Sequence, residues 1–209
     1  MVQKEEAAPK RPRGRPRQYD PETALDRARN AFWDTGYAAT SLDDLSAATG
    51  LNRPSLYGAF GDKQALYLAS LRRSRAELTA SLTAALAPVE PLRKALVRVF
   101  DSAAAIYVRG ETAQRGCFLI GTAVTESVSD PEIRRELAGA LEEIDAVFAA
   151  RLRRAQADGE LSPGADPAAL AQIATATLNG MAVRARAGGQ EDSLAGFGRT
   201  LIGMICGPA

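Results

Sequence analysis

The chain has 209 residues, with 26 Lys and Arg against 25 Asp and Glu, and its net charge of +1 argues against a protein that coats nucleic acid along its whole surface. Alanine, leucine and arginine dominate while only 6% of the residues are aromatic, a composition that favours helix and predicts an all-α fold. Histidine is absent and the two cysteines fit neither a disulfide framework nor a zinc motif, so we expect no catalytic residue, metal or cofactor.

The chain lacks the apolar segments of a membrane or exported protein. No apolar run reaches the ~20 residues that span a bilayer, and the N-terminus has no signal-peptide core. We therefore expect a cytoplasmic protein that has no membrane partner.

Residues 1–18 are Pro-rich, charged and without apolar periodicity, so we expect a disordered basic arm. Within it Arg13, Arg15 and Arg17 alternate with Gly14 and proline, as in the core of an AT-hook. The glycine removes bulk, so that the flanking arginines can lie in a narrow A·T-rich minor groove. We predict that these arginines contact a DNA groove or phosphates. The alternative is a basic tail that adds only non-specific affinity.

A first helix is predicted after the arm. It starts behind Asp20, a capping residue followed by proline, and runs to about Thr35, where Gly36 ends it. Leu25 and Phe32 lie on its buried stripe.

Residues 41–66 predict two short helices joined by a tight glycine turn. Ser41 has an acidic residue three positions later, which is the pattern of a capping box at the start of the first helix. Gly50 lies where that helix ends through a left-handed residue, and Asn52 can cap the second helix.

The second of these helices has one apolar and one polar face. Leu56 and Phe60 lie one turn apart on the apolar face, whereas Arg53, Ser55 and Tyr57 lie on the polar one. Such a pair predicts a helix-turn-helix whose second helix enters a DNA major groove. The alternative is a plain helical hairpin inside a helical core.

At this point the sequence resembles the N-terminal domain of TetR-family transcriptional regulators over residues 19–68. The residues that support the resemblance are Gly36 with Tyr37, Thr40 with Ser41, Gly50 with Leu51, Leu56 with Tyr57 and Phe60, and Lys63 with Leu66. The rest of the chain is similar to that family in length and helical character.

The resemblance implies a set of DNA-facing residues, which are Thr40, Asn52, Arg53, Ser55, Tyr57 and Lys63. Arg53 can reach a guanine edge, Tyr57 and Thr40 can donate to phosphates, and Lys63 adds its charge to a helix start. The family often has a histidine where this chain has Ala59, so the contact of that side chain does not transfer.

The resemblance also implies a domain order: a DNA-binding domain over residues 19–66 and a helical ligand-binding and dimerisation domain over residues 67–209. Periodicity and breakers predict the later helices at about 63–87, 92–108, 117–127, 131–158, 167–187 and 193–206.

Polar and aromatic residues on these later helices are candidates for a small-molecule site. The set consists of Phe100, Tyr107, Cys117, Phe118, Thr122, Glu126, Asn179 and Met181. The alternative is that they belong to an ordinary apolar core.

Cys117 has a further possible role. It follows Arg115 at a predicted helix start, and a cation and a helix dipole both favour the reactive thiolate. Some members of the resembled family sense electrophiles or oxidants through a cysteine. The alternative is a structural cysteine in the core.

Acidic residues cluster at Glu142, Glu143 and Asp145. A paired-carboxylate active site needs facing partners and a cleft, so a solvated helix face is the expected role of this cluster.

The whole sequence predicts a ligand-responsive regulator, a repressor that binds a palindromic double-stranded DNA operator as a homodimer and is released by a small-molecule effector. One helix-turn-helix domain buries too little surface against DNA for high sequence specificity, whereas a two-fold dimer presents two recognition helices to the DNA. The dimer contact is expected on the last two helices, at Val183, Leu194, Phe197, Leu201 and Ile202. The alternative function is a helical small-molecule-binding protein or enzyme that does not act on DNA.

Overall fold

The computed structural model describes residues 19–110 and 115–207, and the predicted basic arm with Arg13, Arg15 and Arg17 lies outside them. The described residues form nine α-helices and no strand, which confirms the all-α prediction. The helices are α1 (Pro21–Thr35), α2 (Leu42–Thr49), α3 (Arg53–Phe60), α4 (Lys63–Leu86), α5 (Leu92–Tyr107), α6 (Val124–Glu126, preceded by a π-helical turn Leu119–Ala123), α7 (Pro131–Ala157), α8 (Pro167–Arg186) and α9 (Glu191–Cys206).

Short polar side chains fix most of the helix starts, which explains why the predicted bounds lie within two residues of the observed ones. The Asp20 carboxylate accepts from the amides of Glu22 and Thr23 at 3.2 and 3.1 Å. Ser41 and Asp44 form the predicted capping box at α2. Such caps each stabilise a helix by about 1 kcal/mol.

Two apolar clusters organise these helices. We call α1 to α3 with the first half of α4 the head, and the other helices the body. The core of the head centres on Phe32 and Tyr67, and it continues into the body through Phe118, Leu119 and Ala123. The core of the body lies between α5, α7, α8 and α9. None of the helices in the described part of the chain is long and apolar enough to cross a membrane.

Part of the predicted dimer contact lies on the inner face of α9, and that part of the prediction is wrong. Leu194, Leu201 and Ile202 are buried inside the body of a single chain, and the structure therefore places them in the core. The prediction failed because α9 has apolar residues on two faces, and periodicity does not tell which face meets a partner.

Phe100 is likewise a residue of the body core. Its ring stacks on that of Phe148 with centroids 6.2 Å apart, and it packs against Gly198 of α9. A Cβ atom at Gly198 would lie 2.7 Å from the Cβ of Phe100, so α5 and α9 approach too closely for any side chain there.

We expect Gly198→Ala to lower the free energy of unfolding by about 1 to 2 kcal/mol, because overpacking outweighs the gain in helix propensity. Gly203→Ala on the same helix is the control, since its added Cβ would meet no atom within 4 Å. It should raise stability by about 0.5 to 1 kcal/mol. Urea unfolding of both variants checks this, and equal stabilities would contradict the close approach of α5 and α9.

Candidate DNA-binding surface and effector cavity

The recognition helix α3 is held by its two ends and by one buried leucine. Gly50 has φ 72°, the left-handed conformation that lets the chain turn out of α2. The side chain of Asn52 then accepts from the amide of Ser55 at 2.9 Å and caps α3. Leu56 is buried in the head, which leaves the opposite face of α3 open to solvent.

Most of the predicted DNA-facing residues share that open side. Arg53 and Asn52 are exposed, Ser55 is half-buried, and Tyr57 is 49% exposed, a high value for a tyrosine. Lys63 starts α4 beside them, with its ammonium 4.4 Å from the ring centroid of Tyr37. The arrangement gives a polar surface with arginine, tyrosine hydroxyl and lysine groups, which suits contacts with base edges and phosphates.

Thr40 is the exception. Its side chain is only 1% exposed, and its hydroxyl donates to the carbonyl of Gly36 at 2.6 Å. It therefore stabilises the turn between α1 and α2, and the prediction that its hydroxyl donates to a phosphate is wrong for this conformation. The sequence pattern could not separate a threonine that faces DNA from one that closes a turn.

Sequence reasoning missed the contribution of α1 and α2 to this surface. A groove of about 660 Å³ runs beside the start of α3, and it is lined by Thr23 and Arg27 of α1 and by Tyr19 just before that helix. Asp43 of α2 pairs with Arg53 through two hydrogen bonds of 3.0 and 2.8 Å. The exposure of α1 residues next to α3 follows from the packing of the head, and no local sequence pattern predicts it.

The predicted effector residues separate into three places. Tyr107, Cys117 and Asn179 come together around a narrow cavity of about 10 Å³, room for about one water molecule, whose other walls are aliphatic. Phe100 and Met181 are fully buried in the body core, and neither of them lines this cavity.

The remaining predicted residues line the contact between the head and the body or lie beyond it. Phe118 packs on Trp33 and Tyr67 of the head, with ring centroids 5.8 and 6.0 Å apart. Thr122 accepts a hydrogen bond from the Tyr67 hydroxyl at 2.8 Å. Glu126 is half-buried at the end of α6, away from the cavity.

The surroundings of Cys117 contradict the predicted activation of its thiol. Burial raises the pKa of the Cys117 thiol above its usual value, and this outweighs the opposing hydrogen bonds from the amides of Ile120 and Leu119. The guanidinium of Arg115 turns instead to Asp34, with bonds of 2.7 and 2.9 Å. Burial also raises the pKa of Tyr107, so its hydroxyl stays a neutral donor at the cavity wall.

Within the acidic cluster, Glu143 forms an ion pair with Arg75. Glu143 accepts from Arg75 at 2.6 Å and from Thr79 at 3.0 Å, and the hydrogen bond from Arg75 lowers its pKa. These contacts hold α7 against α4.

Apolar side chains remain exposed on α8 and α9, and we call them the exposed strip. Val183 is 58% exposed and Met204 78%, and Ile173 and Phe197 are exposed as well. Exposed apolar side chains on two helices that pack together are typical of a protein contact.

We expect both cysteines to react slowly with an alkylating agent at neutral pH, because burial raises the pKa of Cys117 and of Cys206 and so lowers their thiolate fractions. Labelling should quicken as the pH rises towards these pKa values, and become fast in urea. Timed intact-mass measurements check this. Rapid labelling of Cys117 in the folded protein at neutral pH would contradict the structure.

Two family models match the chain. Residues 24–70 match the family described as "Bacterial regulatory proteins, tetR family". Residues 91–201, more than half of the chain, match the "Tetracyclin repressor-like, C-terminal domain". The first match spans the helix-turn-helix, and the second spans most of the body.

Curated relatives and a solved complex agree with these models. The chain is 34% identical over 186 residues to the HTH-type transcriptional repressor ComR of Escherichia coli K12, covering 88% of each chain. It is 32% identical over 197 residues to the transcriptional regulator AcuR of Cereibacter sphaeroides, covering 91% of this chain and 87% of the relative. Among solved structures, a TetR-family regulator, CifR, in complex with 26-bp double-strand operator DNA superposes with a TM-score of 0.79 at 28% identity, covering 92% of this chain and 100% of that chain.

Proposed function

Because this chain belongs to the TetR family of DNA-binding transcriptional regulators, we propose that it is a repressor that binds a palindromic operator as a homodimer. We propose further that a small molecule in the body releases it. Membership in a family of regulators decides against the alternative of an enzyme or a binding protein that does not act on DNA. A regulator that binds chromosomal DNA acts in the cytoplasm, and we propose that location for this protein.

The observation on which the proposal depends is the open polar face of α3. Arg53 and Tyr57 are exposed one turn apart on α3, and Asn52 and Ser55 at the start of that helix line the groove together with Arg27. Arg53 can therefore face bases while the other polar groups reach the backbone. The relative CifR, which has the same fold, forms a complex with operator DNA. Repression is supported by the relative ComR, a repressor.

The exposed strip on α8 and α9 is the proposed dimer contact. Val183 and Phe197 were predicted there and lie on it, while Ile173 and Met204 extend it. Packed against the same strip of a second chain, these two helices would form a four-helix contact with two-fold symmetry. Two heads then face the DNA together.

Phe197→Glu should weaken the dimer by about 100-fold or more, because two-fold symmetry places the buried charge in the interface twice. The monomer should still fold, since the Arg184 guanidinium lies 5.0 Å from the Phe197 ring centroid and can pair with the new carboxylate. Val89→Glu, at a 99% exposed position outside the strip, is the control. Sedimentation equilibrium checks this, and a dimer equally stable in both variants would move the interface elsewhere.

Effector release follows from the position of the cavity. Leu119 lines the cavity, while the neighbouring Phe118 packs on the head. The narrow cavity holds only about one water, so an effector must displace its walls in order to enter. Displacing this segment shifts the head, and the ligand thereby favours a spacing of the two heads that no longer fits successive major grooves.

The proposed function is tested by selection from a pool of short duplexes with a randomised centre. The retained DNA should contain a palindrome whose half-site centres lie about one helical turn, or a small multiple of it, apart. Sequencing of the bound fraction measures this. Retention of unrelated sequences, or of a motif without two-fold symmetry, would contradict a dimeric operator-binding protein.

A further inference from the structure

An ion pair links the two helices of the helix-turn-helix at the face where DNA is expected. Arg53 is the first residue of α3, and Asp43 is the second residue of α2. The Nε of Arg53 donates to Oδ1 of Asp43 at 3.0 Å, and Nη2 donates to Oδ2 at 2.8 Å. Both side chains are solvent-exposed, at 55% and 76%.

This geometry leaves the outer edge of the guanidinium free. Arginine has five N–H donors, and the side-on pair with Asp43 uses one on Nε and one on Nη2. The donors that remain, on Nη1 and Nη2, form the edge that matches the O6 and N7 acceptors of guanine. An Arg53 held by Asp43 can therefore still bind a guanine, and in a fixed orientation.

Stability gives only a small reason for a carboxylate at this position. An exposed ion pair contributes little free energy, and an acid in the first turn of α2 gains a further small amount from the helix dipole, at a helix start that already has the capping box of Ser41 and Asp44. A negative charge next to α3 also repels DNA phosphates, so Asp43 costs affinity. The benefit that offsets this loss of affinity for DNA therefore has to come from the effect of Asp43 on Arg53.

We propose that Asp43 is a specificity-determining residue that orients Arg53 towards a guanine and keeps its guanidinium from turning to a phosphate. The proposal rests on the proposed function, because it assigns a role within the same DNA-binding surface. Without Asp43, the flexible arginine gains access to the backbone, which is the same in every sequence. Discrimination then falls while binding to unrelated DNA becomes stronger.

The selection from randomised duplexes described above tests this with four proteins: the wild type, Asp43→Asn, Arg53→Lys and the double variant. The wild type should enrich a palindrome with a G·C pair at one fixed position in each half-site. Asp43→Asn should retain the palindrome but lose about tenfold of the preference at that position. Arg53→Lys should lose the same preference, because an ammonium cannot form the two-point contact. The double variant should lose no more than Arg53→Lys does, since the two residues act as one unit.

A salt titration gives a second readout that a merely structural role would not move. On a duplex without the palindrome, Asp43→Asn should bind more tightly than the wild type. Its slope of log K against log salt should be steeper by up to about 0.9, the value of one added phosphate contact. The steeper slope should be absent when Arg53 is also replaced by alanine, whereas the gain in affinity that comes from removing the repulsive charge of Asp43 should remain.

Asp34→Asn is the matched control. Asp34 also holds an arginine through two hydrogen bonds, to Arg115 at 2.7 and 2.9 Å, but that pair lies at the contact between head and body. Its removal deletes the same charge from the head and should leave the base preference intact.

The outcomes separate the two proposals. A wild type that enriches no palindrome overturns the proposed function and the role of Asp43 with it. A palindrome whose base preferences are identical in the wild type and Asp43→Asn overturns the role of Asp43 alone. A uniform loss of affinity with unchanged preferences does the same, because it would show that Asp43 only stabilises the start of α2.

Discussion

The contact between the head and the segment before α7 is the interaction on which the rest of the molecule depends. The ring of Phe118 packs on Trp33 and Tyr67, and the Tyr67 hydroxyl donates to Thr122 at 2.8 Å inside the same apolar surroundings. Burial raises the pKa of Tyr67, so this hydroxyl stays protonated as a donor at any physiological pH. A buried hydrogen bond of this kind is costly to leave unpaired, and so the contact favours discrete arrangements over gradual sliding.

Ion pairs on α4 determine how α1 and α7 are aligned beside this contact. Arg73 pairs with Asp26 of α1 at 3.1 Å, and Arg72 and Arg75 pair with Glu136 of α7 at 2.7 and 3.1 Å. These side chains are partly exposed, so each pair contributes little free energy by itself. Their placement within about one turn of α4, with Arg73 paired to α1 and Arg72 and Arg75 paired to α7, nevertheless fixes which residues of α1 and α7 lie opposite each other. The apolar contact therefore supplies the stability, while the ion pairs select the alignment.

The caps and the helix bounds could be predicted from the sequence because they depend on neighbouring residues only. Ser41 and Asn52 are read correctly from a few positions on either side. The sequence-based predictions are wrong where the residue that a side chain contacts is distant in the chain. Arg115 turns away from Cys117 because Asp34, 81 positions earlier, offers a carboxylate. Thr40 and the inner leucines of α9 were misplaced for a related reason, since periodicity shows that a face is apolar or polar and not what lies against it.

The proposed dimer contact and the head share a direct connection through the end of α8. Arg186 donates to the carbonyl of Trp33 at 2.9 Å and to that of Arg115 at 3.2 Å, and Val183 lies one turn before it on the exposed strip. Gly116 fits against α8 so tightly that a Cβ would meet the Ala182 carbonyl oxygen at 2.5 Å. The helix that would hold two chains together thus also holds the end of α1 in each of them. If α8 forms the dimer contact, the spacing of the two recognition helices would be set there as well as through α4. An effector that moves the segment after Gly116 would then act on both connections at once.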